Sequence, residues 1–203
     1  LVPTLFSPEA SSGGGIQTEF AETMNYIIAY AKRRGVRVHP IVTINCVGRD
    51  WHYHCPKDPR EHDELVALWD YWSRALKGND MFGFFPGDPG GCTRNGCTPE
   101  TYIDLCLELA TVVRKNNPAA AIEVGTWGEP FAGWGVKLWT GNENRATRAM
   151  EYFLARLPAF PPGTFTSINL GFSPDGLPTY GGDARPYARR AAQTRPVLTW
   201  DYS

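Results

Sequence analysis

The stretch that decides the fold runs from residue 81 to residue 125. It opens with Met81-Phe82-Gly83-Phe84-Phe85, turns through Pro86-Gly87-Asp88-Pro89-Gly90-Gly91-Cys92, and closes with Ala121-Ile122-Glu123-Val124-Gly125. Between turn and closing segment, residues 99–115 carry apolar side chains at helical spacing. A short apolar run, a Gly/Pro-rich turn, a helix and a second apolar run make one β-α-β unit, whose two strands lie parallel.

The same alternation extends in both directions. Upstream, residues 17–34 place Phe20, Met24, Ile27, Ile28 and Ala31 at helical spacing, and Gly35 stops the helix. Residues 36–45 are rich in β-branched side chains and run into a loop bearing Cys, Trp and His, and 59–77 form the next helix. Downstream the pattern predicts a helix over 142–157, a strand over 165–170, a short helix around 184–193 and a last strand over 196–202.

Strands alternate with helices throughout, and no two strands stand close enough for a hairpin, so the expected sheet is parallel and covered by helices. No Gly-x-Gly-x-x-Gly turn or phosphate loop follows a strand, and the long loops come after strands rather than before them. The fold class is therefore α/β, a (β/α)8 TIM-barrel-like architecture. A full barrel takes about 250 residues and eight strands, whereas about five parallel strands are counted here. Residues 1–203 thus form a single (β/α)-barrel catalytic domain or a fragment of it, with the rest of a longer parent chain as an expected partner. The start, Leu1-Val2-Pro3-Thr4, fits a processed or excised product.

Composition narrows the function classes. The chain is 42% hydrophobic and 13% aromatic, enough to bury a core. Lys plus Arg number 20 against 21 Asp plus Glu, with no basic run, which argues against a nucleic-acid partner. No apolar run reaches the roughly 20 residues of a membrane helix, so no membrane insertion is expected. Seventeen Pro and 21 Gly mark long loops, where binding and catalysis concentrate. No cofactor is expected.

Of five cysteines, Cys46, Cys55, Cys92 and Cys97 fall in loop segments and Cys106 in a helical pattern. Disulfides Cys46 to Cys55 and Cys92 to Cys97 would each close a short loop and fit a secreted protein, extracellular or periplasmic. Five thiols in a cytosolic protein are the alternative. A metal reading of His52, His54, Cys46, Cys55, Cys92 and Cys97 is set behind disulfides, because neither Cys-x-x-Cys nor His-Glu-x-x-His is present.

Side chains alternate along a strand, so polar residues of one parity mark the barrel interior. His39, Thr43 and Asn45 share one face, as do Glu123, Gly125 and Trp127, and Ser167, Asn169 and Gly171. Val42, Ile44, Ile122, Val124, Ile168 and Leu170 then face the helices. Asn45, Trp127, Asn169 and Asp201 would converge near the C-terminal mouth, where barrel enzymes work.

Two carboxylates stand out there. Asp88 follows a strand within a Gly/Pro-rich turn that lets backbone approach a ligand, although an Asp-Pro-Gly turn can also bond its own backbone. Glu129, in Trp127-Gly128-Glu129-Pro130-Phe131-Ala132-Gly133-Trp134, sits among aromatics that would raise its pKa and suit a general acid. Cleavage of a glycosidic bond uses two carboxyl groups roughly 5 to 9.5 Å apart. Flat rings such as Trp51, Trp127 and Trp134 suit the C–H faces of sugars, and Asn45, His52, His54, Asn169 and Asp201 suit their hydroxyls. Trp69 and Trp72 read as core.

The run from Phe85 through Asp88 to Cys97, the helix after Thr98 and the segment Glu123-Val124-Gly125-Thr126-Trp127-Gly128 resemble a group of secreted bacterial barrel proteins. That group is related to α-glucuronidases and hexosaminidase-like glycoside hydrolases. In it, an Asp-Gly-Gly-like turn leads into a Cys-rich loop, a helix and a strand ending in Trp. The likeness covers about a quarter of the chain, which lacks the middle cysteine of the group's Cys-x-Cys-x-x-Cys loop. It implies polysaccharide or glycoconjugate processing outside the cytoplasm, with Asp88 and Trp127 in the site; Glu129 rests on the residues alone. The expected function is a glycoside hydrolase with a carbohydrate substrate, Glu129 as general acid and Asp88 as nucleophile, base or orienting carboxylate. A non-catalytic carbohydrate-binding or structural barrel module of a larger surface protein is the alternative, and a metal-dependent hydrolase using His52 and His54 is a third.

Overall fold

A computed structural model describes residues 15–44, 46–47, 52–76, 78–85, 94–125, 145–169, 189–190 and 192–198. Helix α1 (Gly15–Lys32) is followed by strand β1 (Ile41–Thr43) and a small ribbon of β2 (Cys46–Val47) and β3 (His52–Tyr53). Then come α2 (Pro59–Ala75), β4 (Met81–Phe85), a 3-10 turn (Arg94–Gly96), α3 (Pro99–Asn116), β5 (Ala121–Gly125), α4 (Arg145–Arg156) with a 3-10 turn (Leu157–Ala159), β6 (Phe165–Asn169) and β7 (Val197–Leu198).

Five strands form one sheet in the order β1-β4-β5-β6-β7, every neighbouring pair parallel. The order follows the chain and never reverses, so the crossovers lay α2, α3 and α4 side by side on one face, where α2 packs on α3 and α3 on α4. A doubly wound sheet reverses at a switch point and covers both faces. The unidirectional order is that of a barrel wall.

The chain departs from expectation between β1 and α2. Cys46 pairs with Tyr53 and Val47 with His52 in an antiparallel hairpin, where no hairpin was expected. Two residues per strand are too few to show alternation, so the sequence carried no periodic signal for it.

The helices begin where the backbone is capped. Asp58 accepts hydrogen bonds from the Arg60 and Glu61 N–H groups ahead of α2, Thr98 forms a capping box with Thr101 ahead of α3, and Pro59 and Pro99 occupy first-turn positions where no N–H is needed. On α2 the buried residues Leu65, Leu68, Trp69, Trp72 and Ser73 follow helical spacing toward the sheet. Trp69 meets Phe84 edge to face at 4.7 Å between ring centroids, and Phe165 meets Phe153 and Phe160 in the same manner at 5.2 Å each. Trp69 and Trp72 are core, as expected.

One irregularity re-aims a strand. Ile122 is registered with Phe165, but Glu123 with Ser167, so Thr166 is an extra residue on β6. Strict alternation puts Phe165 and Ser167 on the same face. The bulge instead lets Phe165 enter the helix-side core against Phe153 while Ser167 bonds Glu123 on the other face.

Candidate functional site

Three polar residues of interior parity meet inside the sheet. Ile41, Gly83, Glu123 and Ser167 occupy one register row across β1, β4, β5 and β6. The Ser167 hydroxyl donates to Glu123 Oε2 at 3.1 Å, and His39 Nδ1 lies 3.8 Å from the same oxygen. Gly83 contributes no side chain to that row, and it stands between Ile41 of β1 and Glu123 of β5. Glu123 and Ser167 are 1% and 4% exposed. Burial pushes the His39 imidazolium pKa below its ordinary value, against the opposing pull of Glu123, so the ring is neutral at neutral pH. Its Nε2 has no hydrogen-bond partner among the described residues.

This cluster lies below the ends of the strands, two residues before Gly125, or about 6.6 Å at the usual strand rise. Above it, α3 fixes where two loops leave the sheet. The buried Tyr102 hydroxyl donates to Gly125 O at 2.7 Å and lies 3.3 Å from Phe84 O, so it faces carbonyls at the ends of both β5 and β4. Asp88 comes three residues after β4 and Glu129 four after β5, the two strands being hydrogen-bonded neighbours.

The expected site residues fare unequally. Asp88, Glu129, Asn45, Trp51, Trp127, Trp134, Asp201 and Cys92 lie outside the described residues. His52 stands on β3 opposite Val47. Asn169 is the last residue of β6, registered with Gly125 and Leu198, at the strand end where it was expected. His54 Nε2 is engaged by Glu64 of α2 at 2.7 Å, and this bond holds the Glu64 carboxyl below its ordinary pKa.

The cysteine pairing requires correction. Cys55 and Cys97 are in no disulfide, so neither the Cys46–Cys55 nor the Cys92–Cys97 staple is formed. Their sulfurs instead approach each other at 3.6 Å, linking the hairpin segment to the segment after β4. A brace surrounds them. Arg94 grips Glu61 at 3.0 and 2.5 Å, Glu61 accepts the Cys55 N–H, and Lys57 donates to Gly96 O at 2.7 Å. Burial pushes the Glu61 carboxyl up, but the Arg94 and Cys55 hydrogen bonds bring it below its ordinary value. Sequence reasoning missed this contact because it paired cysteines by nearness in the chain, whereas β1 and β4 are neighbours in space. It also placed His39, Glu123 and Ser167 on one face without naming them as a cluster; the signal available was their shared parity beside Gly83.

The unidirectional parallel wall, with loops leaving the C-terminal strand ends, defines the class as a (β/α)-barrel-type protein. Solved glycoside hydrolases of that type share it. The chain is similar to the exo-β-1,4-mannosidase Op5Man5 from Opitutaceae bacterium strain TAV5, at 13% identity and a TM-score of 0.50, covering 97% of this chain and 44% of that one. It is also similar to a β-1,4-mannanase from the common sea hare Aplysia kurodai, at 13% identity and a TM-score of 0.51, covering 89% of this chain and 59% of that one. The chain thus spans about half the length of these structures, and at this identity the likeness is one of fold. No protein family profile matches the chain, and no curated protein matches it.

Proposed function

We propose that the chain is the catalytic part of an exported glycoside hydrolase acting on a polysaccharide or glycoconjugate. Its five strands contribute to an eight-stranded barrel completed by a longer parent chain. Glu129 is the general acid, and Asp88 is the nucleophile, the base or the orienting carboxylate. The carrying observation is the adjacency of parallel strands β4 and β5, after whose C-terminal ends Asp88 and Glu129 follow in the chain. Neighbouring strands run about 4.8 Å apart, so the two loops leave the sheet within reach of the roughly 5 to 9.5 Å carboxylate separation that glycosidic cleavage uses. Trp51, Trp127 and Trp134 would stack on sugar rings, and Asn45, His52, His54, Asn169 and Asp201 would read hydroxyls.

The likeness in fold to a mannosidase and a mannanase makes β-1,4-linked mannan the first substrate to assay, beside other plant, algal and bacterial polysaccharides. Reducing-sugar release by the parent protein is expected to fall by about 10²- to 10⁴-fold in Glu129→Gln, the contribution typical of a positioned acid. Turnover unchanged by that substitution would remove Glu129 from the mechanism.

A further inference from the structure

Cys55 and Cys97 stand 42 residues apart in the chain, yet their sulfurs lie in contact at 3.6 Å with both side chains buried. Both are free thiols. A disulfide holds its sulfurs at about 2.05 Å, so an approach of about 1.5 Å, within the reach of side-chain rotation, separates the pair from a bond. We propose that Cys55 and Cys97 are a reversible dithiol pair, whose oxidation by a small disulfide staples the chain after the β2–β3 hairpin to the turn ahead of α3.

The two segments are already held together by contacts that do not involve sulfur. Arg94 pairs with both carboxylate oxygens of Glu61, Glu61 accepts the Cys55 N–H, and Lys57 donates to Gly96 O at 2.7 Å. Asn95 and Gly96 both take left-handed backbone conformations, φ 54° and 67°, in the tight turn that delivers Cys97. With the backbone tied on both sides, closing the bond asks for movement of the sulfurs rather than of the chain. Cys106, the third free thiol among the described residues, is fully buried in α3 beside Tyr102. Burial pushes that thiol up, which keeps it protonated and inert.

Cys97 is 9% exposed and Cys55 is 0% exposed, so Cys97 meets the reagent first. Its thiolate attacks one sulfur of the reagent to form a mixed disulfide, and the reagent's other half leaves as a thiol with the proton that Cys97 gave up. Cys55 then attacks the Cys97 sulfur, the protein's own S–S bond replaces the mixed one, and the second half leaves with the Cys55 proton. The protein loses two protons and two electrons, and one reagent disulfide becomes two thiols. Asn95 Nδ2, donating to Cys55 Sγ at 3.5 Å, supports negative charge on the attacking sulfur. The new bond closes a loop that contains α2 and β4, and it anchors a hairpin whose two paired positions are too few to be stable alone.

The unsubstituted chain is to be equilibrated with oxidised glutathione, alkylated, and mapped by mass spectrometry without reduction. A peptide joining Cys55 to Cys97 is expected, and dithiothreitol should restore both thiols. The oxidised chain should melt about 5–15 °C above the reduced one, because the crosslink removes loop entropy from the unfolded state. Cys55→Ser should lose that rise and hold a single glutathione on Cys97, whereas Cys106→Ala keeps the rise. Should the serine variant fail to fold, the peptide map and the melting of the unsubstituted chain decide the matter. Cys46–Cys55 or Cys92–Cys97 crosslinks in its place, thiols that stay free, or oxidised and reduced chains that melt together would overturn the pair. None of these readouts involves glycan turnover, so they stand or fall apart from the hydrolase reading.

Discussion

The two faces of the parallel sheet both bury side chains and are chemically opposite. Toward the helices, Phe82, Phe84, Ile122, Val124 and Phe165 are at most 1% exposed and join one apolar cluster with Leu65, Trp69, Ile103, Leu109 and Phe153. On the other face, the same strands bury Glu123 and Ser167 with His39 beside them. Apolar contact dominates the helix layer, with polar pairs such as Asn116–Asp70 and Tyr152–Asp104 between neighbouring helices. The inner face is organised by hydrogen bonds, which stabilise only while every partner is present. Buried polarity of that kind is weakly favourable for folding and is usually found where chemistry or substrate binding needs it.

Removing Trp69 tests the apolar side and carries the largest expected effect. Trp69→Ala should cost about 3–5 kcal/mol in chemical denaturation, since the ring is 1% exposed and packs on Phe84. A cost below about 1 kcal/mol would mean that the helix layer is not the main store of stability. On the polar side, Glu123→Leu is expected to destabilise by about 1–3 kcal/mol, because the Ser167 hydroxyl loses its acceptor in a buried place. A more stable variant would show the inner face behaving as a second apolar core.

The smallest effect separates the faces by pH. Because the His39 pKa is lowered on folding, the unfolded chain binds a proton that the folded chain does not. Stability is therefore complete above the ordinary value of 6.5 and declines as pH falls from there toward the lowered one. His62, half-buried on α2 and bonded to Glu108, has a raised pKa, so its contribution is complete below 6.5 and is lost as pH rises through the raised value. Thermal melts should show a shallower decline below pH 6.5 in His39→Gln, and a shallower decline as pH rises above 6.5 in His62→Gln. A decline below pH 6.5 left unchanged by His39→Gln would contradict the assignment of His39 to a buried neutral state.

Much of the wall was legible in the sequence. The strands at 81–85 and 121–125 were read to the residue because short apolar runs are bounded there by turn-formers, and the helices fell within a few residues of their observed ends. What escaped reading was tertiary. The hairpin is too short to have a period, the meeting of Cys55 with Cys97 depends on which strands are neighbours, and the bulge at Thr166 breaks the alternation that would have turned Phe165 inward. Of the proposed site, chain position supplied the candidates Asp88, Glu129 and Asn169, of which the first two lie outside the described residues. The buried polar cluster was visible only as parity, since nothing in a linear sequence says that His39 meets Glu123 two strands away.

Tyr102 has a consequence for how such a scaffold can diversify. Its hydroxyl meets carbonyls of both β4 and β5, so one side chain of α3 ties two neighbouring strand ends together. Exchanges in the sequence beyond Phe85 and Gly125 then leave this anchor of the two strands in place.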